Sequence, residues 1–249
     1  MDVSGANLKP RTGGLASTNL INEYQSIIGS LGYLANMTRA DIACSTHKLC
    51  QFAHNPTERH LDYAKRILRY LKGTPALGIK FSLQNQGSLN LQGYCDSAYA
   101  DNHEDRCSTQ GYAFLAAGGL ISYKSTKQTI VATSSTEAEY IALTSAAKEG
   151  LWIKKLLTEL DYSQSDLDPI QLFGDNQSAI SLTKPTRQDH SRIKHIEVYY
   201  HFIRHQVKEK TIKLNYIPSN NMIADGLTKP LSKLKFQRFI QQIGLVKLD

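Results

Sequence analysis

Leu91-Gln92-Gly93-Tyr94-Cys95-Asp96 sets a carboxylate directly behind a run of β-forming residues, and Leu172-Phe173-Gly174-Asp175 repeats the arrangement later in the chain. Both runs predict strands, over residues 89–94 and 170–173. An acidic side chain at the end of a buried strand is costly to desolvate unless it is paired or binds a cation. A single Asp in that position commonly caps the turn or helix that follows. Two in parallel positions weaken the capping explanation and point to a metal site, provided that both strands lie in the middle of a sheet.

The surrounding segments supply such a sheet. Residues 111–116 and 120–124 also read as strands, with Gly118-Gly119 suited to the hairpin between them, and 211–217 reads as a fifth. A long helical pattern covers 135–160, with further helices from Gln177, over 192–208 and from about Asn221. Strands that come first in succession and then alternate with helices predict an α/β fold with a mixed sheet and helices packed on it. On the long helix, Ala138, Ala142, Ala146, Ile153, Leu156, Leu157 and Leu160 share one apolar face, and Glu139 points along it. Glu137 points elsewhere and follows Ser134 by the spacing of a capping box, so Glu137 is assigned to structure and Glu139 to chemistry. Asp225 falls in the first turn of the last helix, where the helix dipole is by itself sufficient reason for an acid. Together, Asp96, Glu139, Asp175 and Asp225 can hold two hard cations, a cluster suited to phosphodiester hydrolysis without a protein nucleophile.

With 249 residues, 41% of them hydrophobic, the chain can build one ordinary core and a smaller satellite, which excludes a disordered protein. A formal net charge of +7 attracts polyanions and is a weak pointer to nucleic acid. Cys44, Cys50, Cys95 and Cys107 lack zinc-ligand spacing and predict free thiols in a reducing compartment. No signal-peptide pattern opens the chain and no apolar run is long enough for a bilayer, so a soluble intracellular protein without a membrane partner is expected. Residues 1–21 read as a flexible lead-in and 22–82 as a small helical region. There, Thr38 and Asp41 have capping-box spacing, Pro56-Thr57 opens another helix and Gly73 ends it. Leu61, Ala64, Ile67, Leu68 and Leu71 form that helix's apolar face, while Lys65, Arg66, Arg69 and Lys72 form a solvated basic one. The polar stretch 82–88 is the candidate boundary; 88–232 make the α/β domain and 233–249 a C-terminal helical tail.

Tyr94-Cys95-Asp96-Ser97-Ala98-Tyr99-Ala100-Asp101, followed by Asp105-Arg106-Cys107-Ser108-Thr109-Gln110-Gly111-Tyr112, resembles the opening of the ribonuclease H region in copia-type (Pseudoviridae) retrotransposon Pol polyproteins. Ser134-Ser135-Thr136-Glu137-Ala138-Glu139-Tyr140, Asp175-Asn176-Gln177-Ser178-Ala179-Ile180, Lys194-His195-Ile196-Glu197 and Ala224-Asp225-Gly226-Leu227-Thr228-Lys229-Pro230 continue the similarity in order. Upstream, Tyr24-Gln25-Ser26-Ile27-Ile28-Gly29-Ser30-Leu31-Gly32-Tyr33-Leu34 and Ala64-Lys65-Arg66-Ile67-Leu68-Arg69-Tyr70-Leu71-Lys72-Gly73-Thr74 resemble the end of that family's reverse transcriptase. The resemblance implies a ribonuclease H-like mixed five-stranded sheet with helices on both faces, preceded by a thumb- or connection-like helical region. It implies a metal-dependent endonuclease that hydrolyses the RNA strand of RNA–DNA hybrids without base specificity, with two Mg2+ ions per site and Mn2+ as an alternative. By the same carry-over, Asp96 would bridge both ions, Glu139 and Asp175 would complete one site, and Asp225 would help to hold the other. Ser97, Ser134, Asn176 and Lys127 are the expected substrate contacts. The RNA–DNA hybrid and the polymerase part of a reverse transcriptase are the expected partners, in the cytoplasm or a virus-like particle, with the nucleus as a further alternative.

Two departures accompany the resemblance. Tyr99-Ala100-Asp101-Asn102 superficially matches a polymerase Y-x-D-D motif, but Asn102 replaces the second acid, so no polymerase activity is expected. Many ribonucleases H carry a His in the loop before the last helix, whereas Tyr216-Ile217-Pro218-Ser219-Asn220-Asn221 has none, which bears on product release and not on metal binding. His190, His195, His201 and His205 cluster in sequence, yet without a Cys or acidic partner nearby they read as packing or phosphate contacts before metal ligands. Trp152 and Tyr199-Tyr200 read as core or interface residues. Rival readings are a polymerase-less remnant that folds and binds nucleic acid with little or no catalysis, and a nuclease or transposase of related fold acting on duplex DNA.

Overall fold

The computed structural model describes residues 8–82, 89, 91–102, 104–162, 169–183 and 197–248. They divide into two units, one running from Phe81 to Thr228 and the other made of the residues before and after it.

In the flanking unit, α1 (Thr18–Met37) starts where the Ser17 hydroxyl accepts the Leu20 N–H. After α2 (Ala43–Cys50), α3 (Glu58–Gly73) begins with a reciprocal cap. The Thr57 hydroxyl accepts from the His60 N–H, and His60 Nδ1 accepts from the Thr57 N–H at 3.1 Å, so His takes the place of the usual Glu or Gln. Leu61, Ala64 and Ile67 are buried on α3, whereas Leu68 is exposed. Thr38 and Asp41 form no capping box. Instead Asp41 takes the Arg39 guanidinium at 2.8 Å and the Tyr70 hydroxyl at 2.6 Å, a fuller set of partners for a buried carboxylate than one backbone N–H.

The ends of the chain also differ from expectation. Ala16 is buried and its N–H donates to the Asn55 side chain at 2.8 Å, so the described part of the lead-in is tied down and the first helix starts at Thr18. Residues 233–249 were expected to be a separate helical tail. Their helix α8 (Lys233–Gln242) is followed by β7 (Leu245–Lys247), which pairs antiparallel with β1 (Leu77–Ile79), and they belong to the flanking unit. Three-residue strands carry almost no local signal, because their stability comes from a partner remote in sequence.

The central unit is a five-stranded mixed sheet in the order β4-β3-β2-β5-β6, formed by β2 (Gln92–Ala98), β3 (Thr109–Ala116), β4 (Gly119–Lys127), β5 (Ile170–Gly174) and β6 (Ile212–Tyr216). β3 is antiparallel to both of its neighbours, β4 and β2, and β2, β5 and β6 run parallel. Both acid-bearing strands are therefore internal, and the sheet is five-stranded and mixed, as expected. The hairpin turn lies one residue earlier than Gly118-Gly119. Ala117 and Gly118 both have positive φ, the geometry of a type I′ connection, and Gly119 already opens β4.

Helices cover both faces. Cys95, Tyr112 and Phe114 pack in one core with Ala138, Tyr140, Leu143 and Ile153 of α4 (Ser135–Glu159) and with Tyr200 and Ile203 of α6 (Glu197–Lys208). Alternate positions on β3 face the other way. A Cβ built on Gly111 would lie 2.8 Å from Leu227 Cβ, so the short α7 (Asp225–Thr228) rests directly on the sheet there. The predicted apolar stripe of α4 extends too far, since Leu156 and Leu160 are exposed and Trp152, expected in a core or interface, is 57% exposed. A helix of that length spans about 37 Å, against about 23 Å for a strand like β2, so its last turns have no sheet to cover. All four cysteines are free thiols, Cys50 being the exposed one. Among the described residues no helix is long and apolar enough to cross a membrane.

Candidate metal centre

The site forms where two parallel strands stop at different heights. Pairing of β2 with β5 ends at Tyr94↔Phe173, and β2 continues to Ala98. Asp96 therefore lies within β2 rather than after it, beyond the last β5 contact. Asp175 follows β5 immediately. α4 crosses these strand ends and brings Glu139, whose Oε1 accepts the Ser97 N–H at 3.3 Å. α4 can start there because the Ser134 hydroxyl accepts the Glu137 N–H, while the Glu137 carboxylate takes the N–H and hydroxyl of Thr133 at 2.7 and 2.6 Å. Glu137 thus has the structural role expected of it, one residue displaced from the usual box.

Carboxylate oxygens of Asp96, Glu139 and Asp175 all lie within 4.8 Å of one another. Asp96 is 2% exposed and Glu139 7%, while Asp175 is half-buried. Two like charges at 4.8 Å repel by about 3.5 kcal/mol at an effective dielectric constant near 20. Three ionised groups are therefore unstable together unless a proton or a cation joins them. Burial, then the charges of Asp96 and Asp175, push Glu139 up to about 9, against the opposing hydrogen bonds from Ser97. The same burial and the same three carboxylates raise the Cys95 thiol well above its usual range, and its Sγ donates to the Phe173 carbonyl oxygen at 3.5 Å. The remaining donors are hard oxygens at cation-binding separation, and they fit a divalent ion such as Mg2+ or Mn2+.

This electrostatics gives a signed prediction. A carboxyl raised in the folded state stabilises the metal-free fold fully below its unfolded value near 4.5 and loses that contribution as pH climbs through about 9. A cation must displace the same proton. The rise in melting temperature caused by Mg2+, measured against chelator, should accordingly be larger at pH 9 than at pH 6; equal shifts at both would contradict the shared-proton picture.

Asp225 is not within this trio. It begins α7 and is buried, and the Thr228 hydroxyl, which donates to Asp96 Oδ2, lies 3.4 Å from the Asp225 carbonyl oxygen. Of the expected substrate contacts, Ser97 lies beside Glu139. Ser134 and Asn176 cap helices, Asn176 Oδ1 accepting from the Ala179 N–H at the start of α5 (Gln177–Leu182), and Lys127 pairs with Asp105 at 2.5 Å. His201 and His205 are exposed on α6 and join no metal-competent group among the described residues, and His190 and His195 lie outside those residues. Sequence reasoning missed two hydroxyls at the site: Thr228, and Ser219, which donates to Asp175 Oδ2 at 2.6 Å. Thr228 stood inside a family-like motif with nothing to mark its role, and Ser219 carried no signal.

The chain is 43% identical over 227 residues to the Retrovirus-related Pol polyprotein from transposon RE1 of Arabidopsis thaliana, covering 91% of this chain and 15% of that one. Identity to the corresponding polyprotein from transposon TNT 1-94 of Nicotiana tabacum is 40% over 222 residues, covering 89% and 16%. The chain belongs to the copia-type retrotransposon Pol polyproteins. This Pol segment spans about 15% of the length of those relatives. No family model matches it. Among solved structures, LC11-RNase H1 in complex with RNA/DNA hybrid aligns with 56% of the Pol segment and 94% of its own chain at 16% identity and a TM-score of 0.42, a likeness too low to add to the topology described above.

Proposed function

We propose that the α/β unit is a divalent-metal-dependent endonuclease that hydrolyses the RNA strand of RNA–DNA hybrids, as the ribonuclease H part of a retrotransposon reverse transcriptase. The observation that carries this reading is the meeting of three carboxylates from β2, α4 and the end of β5 within 4.8 Å. Asp96, Glu139 and Asp175 would hold the first Mg2+ ion, and Asp225 with Asp96 a second. A bound pair supplies Lewis acidity, lowering the pKa of an attacking water and stabilising the leaving 3′ oxygen. The chain's own contribution is to hold like charges together and to orient them. Ser97 N–H fixes Glu139, Ser219 fixes Asp175, and Thr228 fixes Asp96.

Recognition of a hybrid fits a protein that reads groove shape and 2′-hydroxyls rather than base edges. Ser97, Ser134, Asn176 and Lys127 would contact it, Lys127 by exchanging its exposed Asp105 partner for a phosphate. With Asn102 in place of a second acid, no polymerase activity is expected of this chain. The test is a labelled RNA annealed to DNA, incubated with the folded full chain in Mg2+ and in chelator. RNA-strand cleavage only in Mg2+ is expected; binding without cleavage would indicate a catalytically silent remnant, and cleavage of duplex DNA a different nuclease.

A further inference from the structure

We infer that Thr228 is the positioning residue of the metal centre, its hydroxyl setting the direction in which Asp96 offers its oxygens to the cation. The inference rests on the metal-site reading above and adds a residue to it.

Nothing in an aspartate itself fixes the plane of its carboxylate, because the terminal torsion is broad. Asp96 is held from outside: Thr228 Oγ1 donates to Oδ2, and Thr228 is completely buried. Thr228 in turn has little freedom. Its hydroxyl sits 3.4 Å from the Asp225 carbonyl oxygen, and its methyl faces Gly111, where a Cβ would stand only 3.1 Å from Thr228 Cγ2. Gly111 is the β3 residue opposite Asp96 in the ladder. The missing side chain at Gly111 thus admits α7, and α7 delivers one hydroxyl to the carboxylate beside it. With Oδ2 engaged, the carboxylate plane is fixed before any ion arrives, so binding orders less of the site.

A hydroxyl that only filled space would be replaceable by a methyl group. Thr228→Val keeps the shape and removes the donor; Thr228→Ser keeps the donor and removes the methyl. Magnesium binding to the metal-free full chain, followed by calorimetric titration, should weaken by about 10- to 100-fold in Thr228→Val, the usual cost of losing a partner behind a metal ligand. Thr228→Ser should bind close to the unsubstituted chain, and circular dichroism should give both variants its folded spectrum. Should Thr228→Val bind as tightly as the unsubstituted chain, or should both variants weaken alike, the hydroxyl has no positioning role. If the folded, unsubstituted chain binds no Mg2+ at all, the metal-site reading itself fails and Thr228 falls with it.

Discussion

Asp96→Asn is expected to abolish RNA-strand cleavage while raising the melting temperature of the metal-free protein. Asp96 is the carboxylate common to both proposed ions, and metal coordination at a transferring phosphate stabilises transition-state charge by several kcal/mol. Losing about 4 kcal/mol of that stabilisation slows the reaction roughly a thousandfold. Stability should move the opposite way. Asparagine still offers an amide oxygen to Thr228, and the Asp96 charge, which together with Asp175 and burial holds Glu139 up to about 9, disappears. Relief on the order of 1 kcal/mol would raise the melting temperature by about 2–4 °C in a chain of this size. The paired readout matters because a misfolded variant would lose both activity and stability. Hybrid cleavage at an unchanged rate by Asp96→Asn would refute the carboxylate cluster as the active site.

Gly111→Val should be strongly destabilising on the face of the sheet that carries α7. The backbone there has no need of positive φ; the need is for space. A Cβ would meet Leu227 Cβ at 2.8 Å, Thr228 Cγ2 at 3.1 Å and the Lys124 carbonyl oxygen at 3.2 Å, none of which is the free end of a flexible side chain. Overpacking of this kind costs about 1–3 kcal/mol, and relief requires α7 to lift from β3. Lifting α7 also withdraws Thr228 from Asp96, so magnesium affinity should fall together with the melting temperature. Gly32→Ala on α1 is the control, because a Cβ there meets nothing within 4 Å. That change should leave magnesium binding intact and stabilise the helix by up to about 1 kcal/mol. An unaltered melting temperature in Gly111→Val would mean that α7 does not rest on β3 as described.

Much of the central unit was legible in the residues. The five strands and α4 announced themselves by their periodicity, which is a local property. Glu139 could be separated from Glu137 because helix geometry alone puts two residues of spacing on different sides of the cylinder. The failures share a different cause. The β1–β7 pair joins residues from the two ends of the chain, and neither strand has a pattern of its own. Thr38 and Asp41 have the spacing of a cap, yet Arg39 and Tyr70 compete for the same carboxylate and take it. Leu156 and Leu160 fit the stripe of α4 and are exposed because the stripe outruns the sheet.

By itself the sequence determined the five strands of the central sheet and α4, and which acids those elements and the residue after β5 carry, because propensity and periodicity act over a few neighbouring residues. Only the tertiary structure decided that β5 stops short of the end of β2 and that Gly111 leaves room for α7. It likewise decided that the Thr228 and Ser219 hydroxyls meet Asp96 and Asp175. Those facts depend on side chains brought within a few ångströms across large sequence separations, where a buried charge takes whichever partner the packing provides.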